Sequence, residues 1–382
     1  MTLPFLEKLL QVLAQGGFSA TYKYAVLLAL IDLCVEAGHP PTSVSTSQVA
    51  RRVVELYWPQ VRPFTDWPAA RSQTDGELLR QNRGSLGKIA ALIWEYRQNH
   101  PDQFSPPRVD SSDGEYADLL REVEWKLVEM PLPRLQRVGG GEERFIYEIG
   151  WDEGVSSSRF RKYARGDGAA FDNRILFVDG AADALVALAA VIRPLVQQQW
   201  LVMVRAINGL PEARLEAFLF GADRVRLGAL HKPLRLLQSG TCFYCGSALG
   251  GASEVDHFVP WARSPDDGLD NLVLAHDRCN RHKLHHLADV NFGRRWRDRS
   301  LELSGRLDEI AAESKWSRDR VRTFGVAATA YRRVPDGVRL WMGERGLRRL
   351  GLTDLPEVHR FGRELADAIS GPPRRAPHGS PP

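Results

Sequence analysis

The sequence predicts a mainly α protein with a small α+β part: a helical N-terminal region, a central α+β segment, and a helical C-terminal cap. Three observations carry this. Apolar residues recur at three- and four-residue spacing through most of the first 225 residues and again beyond 301, which is the period of a helix face. Short apolar or alternating runs suited to strands occur at 132–149, at 175–178 and between 256 and 274. Cys242, Cys245 and Cys279, with five of the ten histidines (His257, His276, His282, His285 and His286), crowd between 242 and 286. That clustering leaves no disulfide frame for a chain of 382 residues.

In chain order, Phe5, Leu6, Leu9, Leu10 and Leu13 mark a first helix, and a second, apolar helix covers about 21–37, with Gly38, Pro40 and Pro41 beyond its end. Ser45, Thr46 and Ser47 offer an N-cap to a third helix that runs to Trp58 and stops before Pro59. The last two read either as part of a helix-turn-helix, with Arg51 and Arg52 facing phosphate, or as plain packing with a solvated arginine pair. Gly139-Gly140-Gly141, between LPRLQRV and RFIYEI, predicts a hairpin over 132–149. An irregular stretch from Trp151 to Asp172 breaks the N-terminal region near 150–172; a strand at 175–178 and a long helix at about 181–208, kinked by Pro194, follow. Helices at 211–220 and 222–231, the second stopped before Pro233, lead to Gly240. From 301 to about 351 the pattern is helical again, with Trp316, Phe324, Tyr331, Trp341 and Met342 as core. The domains therefore run 1–225, 226–300 and 301–369, and the Pro/Gly/Ser-rich tail 370–382 is expected to be disordered.

Composition narrows the class. Hydrophobic residues at 43% and charged residues at 26% are ordinary for a folded chain, which excludes disorder throughout. The run Tyr24 to Val35 is interrupted by Asp32 and flanked by Lys23 and Glu36, too short and too charged to span a bilayer. The N-terminus lacks a basic start and a small-residue cleavage site. The expectation is a soluble, cytoplasmic protein with no membrane partner. Lys and Arg total 51 against 47 Asp and Glu, a charge of +4 that permits nucleic-acid binding without requiring it. Arginine outnumbers lysine 43 to 8; guanidinium groups suit phosphate, and a codon bias toward arginine explains the same count.

Cys242 and Cys245 are spaced C-x-x-C and followed by Gly246, and His276 and Cys279 repeat the spacing thirty-one residues after Cys245. Together they form the four ligands of a closed, tetrahedral structural zinc site with no open position for catalysis. Buried reduced cysteines beside an unrelated histidine are the plainer reading. Between the pairs, Asp256-His257-Phe258-Val259-Pro260 reads as an apolar strand, Asn271 to Leu274 as its return, and Asn280 to Ala288 as a helix. A strand, loop, strand and helix let Asp256, His257 and Asn280 converge, and Asp and His side chains buried there need partners.

These residues resemble the HNH nucleases, the ββα-metal or His-metal finger fold. The matching text is C-x-x-C-G, V-D-H-F-x-P, D-N-L-V and C-N-x-x-K at 279–283, about fifty residues of 382. His276 departs from the fourth cysteine of many members. The resemblance implies a metal-dependent endonuclease that hydrolyses DNA. His257 would be its general base, and Asp256 and Asn280 would hold one Mg²⁺ or Mn²⁺ through oxygen atoms. Asn271 would brace the loop carrying His257, and Lys283 would contact backbone phosphate. A satisfied core histidine, a turn asparagine and a solvated lysine are the plainer readings of His257, Asn271 and Lys283. His282, His285 and His286 read as exposed or phosphate-facing. Arg294, Arg295 and Arg297 around Trp296 read either as a patch that tracks the nucleic-acid backbone or as an amphipathic helix end with Trp296 packed inward. The lead-in at 236–240 and PWARS at 260–264 look like larger bacterial HNH proteins of restriction or anti-phage defence, which implies a partner such as a defence ATPase. Two alternatives stand beside the nuclease: a non-catalytic zinc module that binds nucleic acid, and a nuclease latent until a partner acts.

Overall fold

The computed structural model describes residues 2–15, 19–64, 78–103, 105–107, 113–138, 141–210, 215–221, 227–250 and 252–370. These are mostly helical, with small antiparallel sheets, the fold class read from the sequence. The chain divides into two units, 1–226 with 311–317, and 227–310 with 318–382.

In the first unit the apolar run becomes a helix sealed on every side. After α1 (Thr2–Gln15), α2 (Tyr22–Glu36) has Ala25 through Ile31 at most 1% exposed, so it needs no polar face. Strand β1 (Ser43–Ser45) leads into α3 (Thr46–Tyr57). Ser45 caps α3, and its hydroxyl and Gln48 satisfy each other's backbone amides in a capping box. Arg52 is buried between Glu36 and Glu55, and Arg51 pairs with Glu55 at 3.3 Å. The helices pack as in the plainer alternative, but the arginine pair is not solvated: Arg52 is buried and both arginines are held by carboxylates.

Helices α4 (Lys88–Asn99) and α5 (Gly114–Glu129) precede a small ladder of β2 (Arg137–Val138) and β3 (Gly141–Glu142). Gly139 and Gly140 lie outside the described residues. The expected hairpin is otherwise repaired differently: β4 (Tyr147–Ile149), the end of RFIYEI, does not pair with LPRLQRV. After α6 (Ser157–Ala164), β5 (Arg174–Phe177) lies between β1 and β4, antiparallel to both, with Ile175 opposite Val44 and Ile149. Gln136 takes the place of a neighbouring strand, its Oε1 accepting from the amides of Phe145, Ile146 and Tyr147 at 3.1, 2.7 and 3.2 Å.

Helix α7 (Ala181–Asn208) carries Pro194 in its interior. Among the described residues it is the one helix long and apolar enough to cross a membrane. Yet it holds Asp183, Arg193 and Arg205, and Arg193 is buried in an ion pair with Asp32 of α2. Only Leu215–Phe220 of the helix expected at 211–220 is described, as α8, and 222–226 also lie outside the described residues.

In the second unit α9 (His231–Leu237) contains Pro233, which was expected to stop a helix. Proline is tolerated there because first-turn amides have no intrahelical partner. The finger follows: β6 (Ser253–His257), β7 (Leu272–His276) and α10 (Asp277–Lys283), with β6 and β7 antiparallel and Asp256 opposite Val273. The expected helix at 280–288 thus starts and ends earlier, and Leu284 leaves it at φ 50°. Next come α11 (Val290–Glu302), α12 (Ser304–Glu313), α13 (Arg320–Arg332), β8 (Arg339–Trp341), β9 (Leu347–Arg349) and α14 (Leu355–Ser370). The stretch before 351 is therefore a hairpin where helix was expected, and α14 lies beyond it. Helices α13 and α14 pack closely because Gly362 has no side chain: a Cβ there would lie 2.8 Å from the Arg332 amide nitrogen and 2.9 Å from the Ala328 carbonyl. Finger and C-terminal helices share this unit instead of dividing at 300, and buried Trp316, expected in the cap, belongs with 311–317 in the first unit. The tail from 371 lies outside the described residues.

Candidate metal and catalytic centre

The first ligand pair sits on a tight turn before β6. The Gly246 amide donates to the Cys242 carbonyl at 2.9 Å, and the Cys242 amide to Ser247 at 2.9 Å. This turn needs φ +73° at Gly246, which glycine adopts without a Cβ clash. His276 ends β7 and Cys279 lies in the first turn of α10. The four ligand atoms of Cys242, Cys245, His276 and Cys279 all lie within 4.8 Å of one another. Tetrahedral zinc with bonds near 2.3 Å needs sulfur edges of about 3.8 Å, so the group fits the ion.

Local chemistry also prepares these ligands. His276 Nε2 lies 3.1 Å from the Ala248 carbonyl, so Nε2–H donates there and the bare Nδ1 faces Cys245 Sγ at 3.3 Å. A carbonyl holding the far nitrogen is how proteins orient a metal-bound imidazole. Burial pushes Cys245 up, but hydrogen bonds from the Ser247 amide and hydroxyl outweigh it and bring the thiol down to about 6. Cys279 is pushed up to about 12, by burial and then by the charges of Cys242 and Cys245. Thiols crowded until their charges oppose one another are what a divalent cation relieves.

His257 closes β6 and is 8% exposed. Its Nε2 lies 2.7 Å from Asp267 Oδ1, and the Trp261 ring centroid is 5.3 Å away. Asp266 sets that loop: it accepts from Thr323 Oγ1 at 2.7 Å and from the Gly268 amide at 2.9 Å. Asn271, fully buried, accepts from the Val259 amide at 2.8 Å and donates to the carbonyls of Val259 at 3.2 Å and Asp266 at 2.9 Å. Both ends of the loop that follows His257 are thereby tied to one side chain.

Lys283 requires a correction. Expected at backbone phosphate, it is 0% exposed, and its Nζ donates to the His257 carbonyl at 2.6 Å and meets Asp256 Oδ2 at 3.0 Å. The hydroxyl of Tyr244 donates to the same carboxylate oxygen, and burial, then the charge of Asp256, holds that phenol well above its usual range. Lys283 is thus the strut between α10 and β6. Lys283→Met should cost about 3–5 kcal/mol, because a buried carboxylate loses its charge partner; denaturant unfolding measures this, and an unchanged midpoint with weaker DNA binding would restore the phosphate role.

Asn280 donates to Glu254 Oε2 at 2.8 Å. Glu254 and Asp256 share a face of β6, being two residues apart, so two carboxylates and an amide oxygen belong to the strand and helix that Lys283 joins. Among the described residues the zinc ligands are the one convergent group of three or more Cys, His, Asp or Glu. A second cation held by Asp256 and Asn280 would therefore complete its shell with water and substrate oxygen, the habit of Mg²⁺.

The arginine run also needs correcting. Trp296 packs inward, its ring stacked on Phe258 at 4.6 Å and its Nε1 donating to the Asp270 carbonyl at 2.7 Å. Arg295 donates to the carbonyls of Phe243 and Tyr244 and lies over the Phe243 ring at 4.7 Å, bracing the zinc turn. Arg294 pairs with Glu357 at 3.2 Å and Arg297 with Glu364 at 3.0 Å, both on α14. These contacts occupy three arginines expected on nucleic acid. His282 and His285 are exposed, and His286 is half-buried.

Reading the sequence missed Tyr244, Glu254 and Asp267. Glu254 was within reach, since strand spacing alone puts it beside Asp256. Nothing local distinguishes Asp267 from Asp266.

Residues 242–288 match the family described as HNH endonuclease, so the chain carries an HNH domain with a Cys₃His group suited to zinc. Residues 3–217 match a second family, described as a domain of unknown function (DUF8808). That match takes in more than half of the 382 residues, and the chain belongs to this family. No curated protein matches the chain.

Proposed function

We propose that the protein is a metal-dependent HNH endonuclease that hydrolyses phosphodiester bonds in DNA. The observation that carries this reading is His257, which lies within the matched segment with its Nε2 engaged by Asp267. Nε2–H donates to the carboxylate, so the lone pair of Nδ1 is the one left to take a proton from the attacking water. Asp267 holds the ring and favours the imidazolium once the proton has moved. Asn271 fixes the loop through which Asp267 reaches His257. Asp256 and Asn280 would hold Mg²⁺ or Mn²⁺, which when bound neutralises charge on the scissile phosphate and the leaving 3′ oxygen. The zinc group keeps β6, β7 and α10 together and takes no part in the chemistry.

The test is direct: purified protein with Mg²⁺ or Mn²⁺ should convert supercoiled plasmid to nicked or linear DNA, and should lose this with EDTA. No cleavage with either metal on modified or unmodified DNA would leave the non-catalytic zinc module as the better reading. The flanks at 236–240 and 260–264 support a role in restriction or anti-phage defence in the cytoplasm, with a partner such as an ATPase. Phage plating on cells carrying wild-type protein or His257→Ala tests that placement.

A further inference from the structure

The arginines around Trp296 are engaged within their own unit, and a second basic surface carries no such partners. Strands β8 and β9 place Arg339 directly opposite Arg349, both exposed. Like charges on one rung repel, and among the described residues neither makes an ion pair. An anion is the missing complement.

This hairpin is tied to the finger. The Trp341 amide donates to the Leu287 carbonyl at 2.8 Å, and the Asp289 amide to the Trp341 carbonyl at 2.9 Å, so β8 lies against the chain leaving α10. From the other side, Trp261 touches His257, and Arg263 follows two residues later in the same loop. The two approaches meet at His286: burial pushes it below the usual imidazole range, with the charges of His285, Arg263 and Arg339 adding to the effect. The hairpin lies outside both family matches.

We infer that Arg339 and Arg349 form a surface that grips the phosphate backbone of DNA beside the catalytic centre. Guanidinium groups suit this because their planar fork bonds two phosphate oxygens at once. The choice of DNA over another polyanion rests on the nuclease reading.

The experiment uses full-length His257→Ala protein, which should bind without cutting, and a short fluorescein-labelled duplex followed by anisotropy across a salt series. Each phosphate contact contributes about 0.9 to the slope of log affinity against log salt. Adding Arg339→Gln and Arg349→Gln should weaken binding and reduce the slope by about 1 to 2, with zinc content and melting temperature unchanged. Adding Arg294→Gln and Arg297→Gln instead should leave the slope as it was. An unchanged slope in the hairpin variant, or no binding by the parent, overturns the inference. If plasmid is cut and the slope is unmoved, the inference fails alone; if binding depends on the hairpin but wild-type protein never cuts, the nuclease reading fails alone.

Discussion

Cys242→Ser should release zinc, unfold the finger and abolish any cleavage. Few apolar residues hold the turn between Cys242 and β6; Phe243, Tyr244 and Leu249 are its buried ones. A structural zinc contributes on the order of 10 kcal/mol to such a segment, more than these side chains gain by burial at about 1.5–3 kcal/mol each. The loss should spread, because His276 and Cys279 begin the helix that carries Asn280 and Lys283, and Lys283 holds Asp256 and the His257 carbonyl in place. Atomic absorption should find less than one zinc per chain, and hydrogen exchange should show fast amides in β6, β7 and α10 while α2 stays protected. Full zinc content in the variant would remove the site. Cys34 is the contrasting control: it is buried, and its thiol is raised beyond useful reactivity by burial, then by the charges of Asp183 and Asp32. Cys34→Ala should leave zinc content intact.

His257→Ala should reduce DNA cleavage by about 10²–10⁴-fold, the usual weight of a positioned general base, with zinc content and melting temperature unchanged. Asp267→Ala should lower kcat by roughly 100-fold through misorientation of the ring, leave KM near the wild-type value, and be partly rescued by Asp267→Asn, whose oxygen still accepts from Nε2–H. A purely structural role for Asp267 would move stability and KM instead. Cleavage by His257→Ala at the wild-type rate would end the assignment of the base.

The legible part of this protein was written at short range. Cysteine spacing, the adjacent Asp256 and His257, the cap at Ser45 and the apolar run of α2 each depend on residues within a few positions of one another, where backbone geometry leaves few solutions. Lys283 and Arg295 looked like phosphate ligands because a lysine or arginine in isolation is a solvated charge. They turn inward only because β6 and the zinc turn arrive from distant parts of the chain with carbonyls, a carboxylate and aromatic faces to receive them. The hairpin at 339–349 was read as helix for the same reason: its pattern of apolar residues fits both periods, and what decides is the backbone of Leu287–Asp289, some fifty residues earlier, offering β8 a partner. Asp267 shows the limit most clearly. The sequence by itself determined the ligand set and the Asp-His pair, since those are patterns of spacing; which acid meets the imidazole was decided only in the tertiary structure, because a loop folded over Asn271 and Asp266 turns one of two neighbouring aspartates inward and the other toward His257.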